Sequence, residues 1–397
     1  MTGGRLFDRR TPPHILTLVL IAGLSALTMN IFLPSLPEMS RYFGIDYSIM
    51  QFAVSGYLVG IAVLQIGIGP FSDRFGRRPT MIFALLIFVI ASLVCVLAPS
   101  PLWFMIGRLL QTTVVAGMVL SRAIVRDMVP MEEAASMIGY VTMGMTIVPM
   151  IGPTVGGLLN DMFDWRASFI ALAVIGFIVL LLVLTDLGET HLQRSSSFFR
   201  QFRDWPQLLL SRHFWGYTLT ATLTSGAFFA FLGGAPFIGN TILKLSPSVL
   251  GMQFFFVAAG YLVGNFLSGR YTRRIGIPNM MLSGSLFSLF GTALPLLLLL
   301  AGFHSAFSFF GPLIFLGLGN GLTLPSANAG IVSVRPHLAG SASGLGGAIT
   351  MAGGAALSAL ASAILTEETG AMPLLLVMVL CCLAAIGSIL YLRALDR

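Results

Sequence analysis

Residues 69–79 read GPFSDRFGRRP and carry one acid and three arginines. The two stretches that flank the charged part, 47–72 and 79–107, contain no Asp, Glu, Lys or Arg. A helix needs about 20 apolar residues to cross the hydrocarbon core of a bilayer, and each stretch exceeds that length. The two stretches therefore predict membrane-spanning helices, and the charged segment predicts a turn at the membrane surface.

The composition of the whole chain supports the same class. Its 397 residues are 56% hydrophobic and 9% charged, whereas about a quarter of the residues in a soluble domain are charged. The three cysteines lie in apolar runs and lack the spacing of a disulfide framework. The net charge of +7 does not indicate nucleic-acid binding, because the arginines cluster between apolar runs rather than along one face.

Apolar runs recur along the chain and predict twelve membrane-spanning helices, an all-α membrane protein. The window 275–334 is long enough for two helices, one on each side of residues 302–305. The segment 102–125 is included although it carries Arg108 and Arg122. The remaining windows are 11–37, 47–72, 79–107, 134–160, 167–185, 213–243, 245–269, 336–366 and 371–392.

Basic residues predict the orientation of the chain. If the N-terminus is cytoplasmic, 18 arginines fall in cytoplasmic segments, whereas Arg41, Arg166 and Lys244 fall outside. Since Lys and Arg accumulate on the cytoplasmic side, both termini are predicted to be cytoplasmic. The first apolar segment lacks a small-residue cleavage site, so we expect it to be retained as a helix. Short loops and the lack of targeting tails favour a bacterial inner membrane.

The helices are predicted to form two bundles with pseudo-two-fold symmetry. The segment 71–78 has a weak copy at 267–274, displaced by 196 residues. Both copies would follow the second span of their half, as a parallel duplication requires. The predicted units are an N-terminal six-helix bundle at 1–188, a cytoplasmic linker at 189–212 and a C-terminal six-helix bundle at 213–397.

The charged segment after the second span resembles the signature of the major facilitator superfamily. The matching residues are Gly69, Asp73, Arg74, Gly76, Arg77 and Arg78. Residues 108–111 and 122–127, together with 152–157 and 33–37, are similar to the bicyclomycin and chloramphenicol resistance (Bcr/CflA) branch of drug antiporters. The resemblance implies a secondary active multidrug efflux transporter that works by alternating access, with a proton gradient as its energy source.

The resemblance also implies two motif functions. In the superfamily, the acid at Asp73 meets a helix N-terminus of the other half, here near Ala339, and the arginine at Arg77 pairs with an acid, here Asp127. Such a cytoplasmic gate would hold the halves together inside and favour an outward-open state; a solvated basic loop is the alternative. The antiporter motif, for which a structural kink is the alternative, comprises Gly152, Pro153, Gly156 and Gly157.

Arg108 is the only strong base well inside a predicted span, about 9 Å from the outer end at roughly 1.5 Å per residue. A charge at such a depth costs about 3 kcal/mol or more and usually marks function. We therefore expect Arg108 to face a central cavity, the alternative being a structural arginine bonded to backbone carbonyls of the first or fifth helix. Arg122 lies nearer the inner surface, where a long side chain reaches the headgroups.

The sequence departs from the Bcr/CflA pattern at the position that carries protons. The acid usually found four residues before the first proline of LPSLP is replaced by Asn30, which cannot take up a proton. Three explanations stay open. The protein uses Glu38, about 12 Å further along the helix, as its proton site; it is a facilitator or a weakly coupled pump; or Asn30 replaces an acid that a parent sequence carries. We expect impaired proton coupling with substrate binding retained.

With Arg108 and no central acid, the cavity should prefer neutral or anionic amphipathic compounds, such as phenicol- or bicyclomycin-like drugs, over organic cations. The seventh span carries a cluster of phenylalanines at 228–231, and the eighth carries one at 254–256. Since three successive residues span nearly a whole helical turn, at most one or two of each cluster can face the cavity, and we expect most of them to serve packing. The predicted cavity residues are Asn30, Arg108, Gln111, Phe228, Phe231, Gln253, Phe256, Asn265 and Asn320.

Other classes find less support in the sequence. It contains no zinc-protease, nucleophile-elbow or P-loop motif, so we predict no enzyme, cofactor or metal site. The expected partners are a small-molecule drug, protons and membrane lipid, without nucleic acid, and a monomer suffices for transport. The alternatives are an exporter of an endogenous metabolite or siderophore, and an uptake or facilitative transporter of the same fold.

Overall fold

Lipid offers no hydrogen bond to an open backbone, so a chain of this composition must pair its peptide groups within helices. The computed structural model agrees: its described residues form helices and no strand. Eleven of these helices are long and apolar enough to cross a membrane. The structure describes residues 7–9, 12–128, 137, 141, 148, 151–190, 205–335 and 338–395.

The spans are numbered in chain order and match the predicted ones. The predicted fifth span, 134–160, lies only in part within the described residues. The helices are α1 Ile15–Phe43, α2 Tyr47–Phe75, α3 Arg77–Leu97, α4 Pro101–Val125, α5 at 151–162, α6 Arg166–Asp186, α7 Arg212–Ile242, α8 Pro247–Ile275, α9 Ile277–Leu300, α10 Ala306–Ser333, α11 Ala339–Ala363 and α12 Met372–Leu395.

The predicted surface turn is shorter than expected, because it consists of Gly76 alone. Helix α2 continues through Phe75, and α3 begins at Arg77. Gly69, at the start of the segment 69–79, is therefore helical and takes no part in the reversal. Gly76 has φ 105° and ψ 151°, a region that glycine alone adopts readily. We call the membrane side that carries this turn the basic side, and the other the opposite side.

The second half repeats this turn at Gly276. Its φ of 85° and ψ of 153° are close to those of Gly76. Gly76 N–H donates to the carbonyl of Ser72 at 2.9 Å, and Gly276 N–H donates to that of Thr272, also at 2.9 Å. The two turns are 200 residues apart, so the predicted displacement of 196 was wrong by one helical turn. The arginines of the two segments align at a displacement of 196, whereas the glycines of the two turns align at 200.

Contacts of the N-terminal bundle continue past its predicted boundary at residue 188. Asp186, at the end of α6, accepts hydrogen bonds from His14 N–H at 3.0 Å and from the Thr17 hydroxyl at 2.6 Å. Glu189 accepts a hydrogen bond from Arg77 N–H at 2.9 Å and so caps the first turn of α3. Most of the predicted linker, 191–204, lies outside the described residues.

Small residues let helices approach closely, as expected for packing in lipid. An ideal Cβ on Gly156 of α5 would lie 1.6 Å from the Ile31 carbonyl oxygen of α1. A Cβ on Gly260 of α8 would lie 1.9 Å from the Ile314 carbonyl oxygen of α10. Gly344 of α11 differs from these two, because no atom lies within 4 Å of its ideal Cβ.

The turn geometry predicts the effect of three alanine substitutions. Gly76→Ala should lower the thermal unfolding midpoint in detergent most, because positive φ costs about 1–3 kcal/mol and the new Cβ would lie 2.3 Å from Glu189 Oε2. Gly276→Ala should cost less, because no atom lies within 4 Å of its Cβ position. Helical Gly69→Ala, also without a neighbour, is the matched control and should not lower the midpoint. Equal midpoints for the three variants would contradict this account.

Candidate functional site

A cavity of about 300 Å³ lies between the two halves of the molecule. Helices α1, α2 and α4 supply its wall on one side, and α7, α8, α10 and α11 supply the other. Most of the lining is apolar and includes three flexible methionine side chains. The lining includes Asn30, Arg122, Tyr261 and Asn320, the phenylalanines Phe228, Phe229 and Phe254, and the methionines Met29, Met118 and Met351.

Three of the nine predicted cavity residues line this cavity, namely Asn30, Phe228 and Asn320. Asn30 is 1% exposed and donates from Nδ2 to the Ala26 carbonyl at 2.7 Å. Asn320 is 2% exposed, and its Oδ1 has no hydrogen-bond partner among the described residues. The two carboxamides thus place polar atoms from α1 and α10 in one mainly apolar chamber.

Arg108 does not face the cavity, which corrects the sequence-based expectation. Its guanidinium lies between two aromatic rings, 4.1 Å from the centroid of Phe32 and 4.4 Å from that of Tyr57. Nε donates to the Ala53 carbonyl at 3.3 Å and Nη1 to the Thr28 carbonyl at 3.4 Å. This geometry matches the structural alternative, except that the carbonyls belong to α1 and α2. Cation–π contacts and carbonyls stabilise the charge where no described carboxylate pairs with it.

Gln111 belongs to the same buried network rather than to the cavity. Its Oε1 accepts from Arg108 Nη1 at 2.6 Å, and its Nε2 donates to the Ser92 hydroxyl at 2.7 Å. Gln111 is fully buried. Hydropathy predicts how far along a membrane-spanning helix a side chain lies, but it does not determine which way around the helix axis the side chain points.

Four other predicted residues also lie away from the cavity lining. Phe231 is buried against Phe254, with ring centroids 5.1 Å apart, and Phe256 packs against Phe307 at 6.0 Å. Asn265 hydrogen-bonds the Tyr261 side chain. Gln253 also lies outside the lining. Of the six phenylalanines at 228–231 and 254–256, Phe228, Phe229 and Phe254 line the cavity. At most two of each cluster therefore face it, as expected, but they make up half of the set rather than a minority.

The positive charge of the cavity comes instead from Arg122, the only charged side chain in its described lining. Sequence reasoning placed Arg122 near the headgroups and missed this role. The one sequence feature that could have indicated this role is the position of Arg122 on the same helix as Arg108, fourteen residues further on. At 100° per residue, fourteen residues rotate a side chain to about 40° from its starting direction. Helical periodicity therefore indicates that the two arginines point in similar directions. Only the packing of the neighbouring helices decides that Arg108 is enclosed by aromatic rings and that Arg122 lines the cavity.

Glu38, the predicted alternative proton site, does not line the cavity. Its carboxylate accepts a hydrogen bond from Asn160 Nδ2 on α5, near the opposite side. The bond fixes the carboxylate at the junction of α1 and α5. No acidic side chain is present in the described lining of the cavity.

On the opposite side, the two halves are in direct contact. The Tyr47 hydroxyl donates to the Gly233 carbonyl at 2.7 Å, and Gln51 Nε2 donates to the Ser358 hydroxyl at 3.0 Å. These bonds join the start of α2 to α7 and α11. Gln51 and Ser358 are almost completely buried, so the bonds form inside a closed interface.

The predicted antiporter motif lies at this closure. Gly152 lies beside Asn30, with its ideal Cβ 3.6 Å from the Asn30 Cβ, and Gly156 packs on α1. A Cβ on Gly157 would lie 2.2 Å from the Pro247 carbonyl oxygen of α8, and one on Gly251 would lie 2.3 Å from the Pro153 carbonyl oxygen. The motif therefore forms the contact between α5 and both α1 and α8.

On the basic side, the predicted pair of Arg77 and Asp127 is present at 3.0 Å. Arg77 also pairs with Asp73 at 2.6 Å. Both contacts lie within the N-terminal half, so they do not join the two halves as the predicted cytoplasmic gate would. Arg74 lies over the Phe75 ring at 5.6 Å, and Arg78 Nε donates to the Leu187 carbonyl at 2.8 Å. The sequence did not indicate the cap by Glu189 that completes this cluster.

A second cavity of about 330 Å³ opens between the halves on the basic side. Asp73 and Gln65 of α2 line one wall, and Ser341 and Ser343 of α11 line another. Arg122 lines both cavities and forms part of the wall between them. The conformation is therefore closed on the opposite side, with a cavity between α2 and α11 on the basic side.

Comparisons with known proteins agree with this architecture. The family profile described as Major Facilitator Superfamily matches residues 18–359. The chain is 31% identical over 379 residues to an uncharacterized MFS-type transporter, YdgK, of Bacillus subtilis, covering 94% of this chain and 92% of that one. It is 30% identical over 324 residues to a chloramphenicol resistance protein of Pseudomonas aeruginosa, covering 80% and 76%.

Solved structures show the same fold. The crystal structure of a D-xylose-proton symporter superimposes with a TM-score of 0.76 at 15% identity, covering 94% of this chain and 96% of that one. At this identity, the likeness shows the fold alone.

The closure on the opposite side predicts the effect of a bulky residue at Gly233. A Cβ there would lie 2.5 Å from Gln51 Nε2 and 2.6 Å from the Ser358 hydroxyl oxygen, so Gly233→Val should separate the halves. In an Asn30→Cys background, maleimide labelling from the opposite side should become faster. The native cysteines are buried and should react slowly. Gly56→Val, at a position with no neighbour within 4 Å, is the control; unchanged labelling in Gly233→Val would refute the assigned closure.

Proposed function

This chain belongs to the major facilitator superfamily, and from that premise we propose that it is a secondary active multidrug efflux transporter. It exports neutral or amphipathic compounds of the phenicol or bicyclomycin kind by alternating access. The observation that carries this proposal is the central cavity, whose walls come from both halves and whose described lining is apolar with two carboxamides and one arginine. The relative named as a chloramphenicol resistance protein supports the substrate class.

The charge of the cavity supports a preference for uncharged or anionic amphipaths. Arg122 is the only charged side chain in the described lining, and its charge is positive. In a chamber of low dielectric constant, like charges repel more strongly than in water. An organic cation would therefore bind at a cost that a neutral aromatic amphipath avoids.

Alternating access requires each side to open in turn. In the present conformation, the bonds from Tyr47 and Gln51 close the opposite side. We place the basic side in the cytoplasm, by the distribution of arginines, in a bacterial inner membrane with both termini inside. Export would then need the basic side to close, bringing Asp73 on α2 towards the start of α11. Asp73, Arg77 and Asp127 would move together as one ionic cluster at the end of the N-terminal half.

Energy coupling is the part of the proposal that departs from the Bcr/CflA pattern. The resemblance implies proton antiport, but Asn30 stands at the position of the usual acid. Glu38 is bonded to Asn160 outside the cavity, so neither residue offers a cavity carboxylate. We infer that proton coupling is impaired while drug binding is retained. The lack of an acid in the described lining also favours a second candidate function, facilitated diffusion through the same site.

Counterflow in proteoliposomes tests the function and its coupling together. Labelled chloramphenicol should exchange without a proton gradient, and a gradient should add little accumulation. Asn30→Asp should restore drug-induced proton release from the purified protein, because it returns a titratable group to the cavity. Absence of counterflow would oppose the substrate assignment. Full proton release by the unaltered chain, unaffected by Glu38→Gln, would oppose impaired coupling.

Substitution of Arg122 tests the charge preference. Arg122→Met should weaken binding of an anionic amphipath about tenfold or more, since it removes a charge-assisted contact worth about 1.5–3 kcal/mol. Binding of a neutral phenicol should change less, and Arg122→Lys, which retains the charge, should keep most of the anion affinity. Isothermal titration of the purified variants measures both ligands. Equal losses for the neutral and the anionic ligand would contradict the charge assignment.

A further inference from the structure

We propose that the cavity on the basic side is a second binding site, which holds neutral aromatic amphipaths against the indole of Trp205 before they reach the central cavity. This inference rests on the proposed function, because it assumes that such compounds are the transported ligands. It assigns a role to a residue that the sequence placed in a linker.

Trp205 is held in place by the short helix on which it lies. This helix, Trp205–Leu209, follows the part of the linker outside the described residues. Leu208 is fully buried, in a cluster with Phe214 of α7 and Leu345 of α11. Trp215 Nε1 donates to the Leu209 carbonyl at 2.7 Å. The linker end is therefore fixed to the C-terminal half, and it presents Trp205 in the cavity wall.

Gln65 supplies an unsatisfied polar group in the same cavity. Its Oε1 is buried and has no hydrogen-bond partner among the described residues. Its Nε2 lies 3.0 Å from the ideal Cβ position of Gly347 on α11, so the amide is confined between the two halves. A buried acceptor without a donor is unfavourable. A ligand that donates an N–H or O–H to Oε1 would remove that penalty.

The charges around the cavity favour a neutral ligand. Asp73 and Arg77 pair with each other at 2.6 Å, and Arg77 also pairs with Asp127. Together with Arg122, which lines this cavity too, the two carboxylates and two guanidinium groups carry no net charge. Ser341 and Ser343 of α11 add hydroxyl groups, which bind either donors or acceptors. An aromatic face for Trp205 and a hydrogen-bond donor for Gln65 thus describe the ligand: an aromatic amide or alcohol without net charge.

The relation between the two cavities makes the second site a step on the transport path. Their volumes are similar, about 330 and 300 Å³, so a compound that fits one fits the other. Arg122 lies in the wall that they share. If each cavity holds one molecule, two ligand molecules bind per protein chain. If the cavity on the basic side holds only solvent, one ligand molecule binds per chain.

Equilibrium binding of labelled chloramphenicol to the purified, full-length protein tests the inference. The unaltered chain should bind two molecules. Trp205→Ala should weaken one of the two sites about tenfold or more, because aromatic stacking and buried area are both lost, and should leave the other unchanged. Asn320→Ala should weaken only the other site. Trp103→Ala, at a half-exposed position on α4 outside both cavities, is the matched control and should retain two sites.

Gln65→Leu provides a second variant should Trp205→Ala fail to fold, and it should weaken the same site about threefold to tenfold through the lost hydrogen bond. A single site in the unaltered chain that Asn320→Ala abolishes and Trp205→Ala leaves intact would overturn the inference while the proposed function stands. A chain that binds no chloramphenicol would instead count against the proposed function itself.

Discussion

The structure depends on how a low-dielectric environment accommodates a few positive charges. Arg108 is stabilised by two aromatic rings and backbone carbonyls, whereas Arg77 is neutralised by Asp73 and Asp127. Arg122 differs from both in its position, because it lines the central cavity. These three arrangements separate a structural arginine, an ionic cluster and a cavity-lining charge along one half of the molecule.

The sequence predicted most of the fold because lipid makes hydropathy decisive: eleven of the twelve spans are recovered among the described residues. It also predicted the contact between Arg77 and Asp127, since the motif identifies both partners. The sequence did not predict the surroundings of Arg108 and Arg122, because hydropathy indicates how far along a span a residue lies but not which neighbouring helices its side chain contacts. The cap from Glu189 to α3 was missed for a related reason, since it joins residues 112 positions apart that share no pattern.

The two halves share a turn but differ in charge at its approach. With Gly76 and Gly276 aligned, the position of Asp73 corresponds to Arg273. The ionic cluster of Asp73 with Arg77 therefore has no exact counterpart after α8. The two halves share the backbone reversal, which only glycine permits easily, whereas the side chains around it differ. Alignment of the charged residues of the two segments therefore places the second turn four residues from its true position, whereas alignment of the glycines places it correctly.

The three methionines of the central cavity have a further consequence. Met29, Met118 and Met351 come from α1, α4 and α11, so flexible thioether side chains line walls of both halves. Unbranched, polarisable chains repack around differently shaped molecules at small cost. Such a lining would select a ligand by its size and polarity more than by its exact shape. Oxidation to the sulfoxide would make these walls polar, so the chemical state of three sulfur atoms would alter which compounds the chamber accepts.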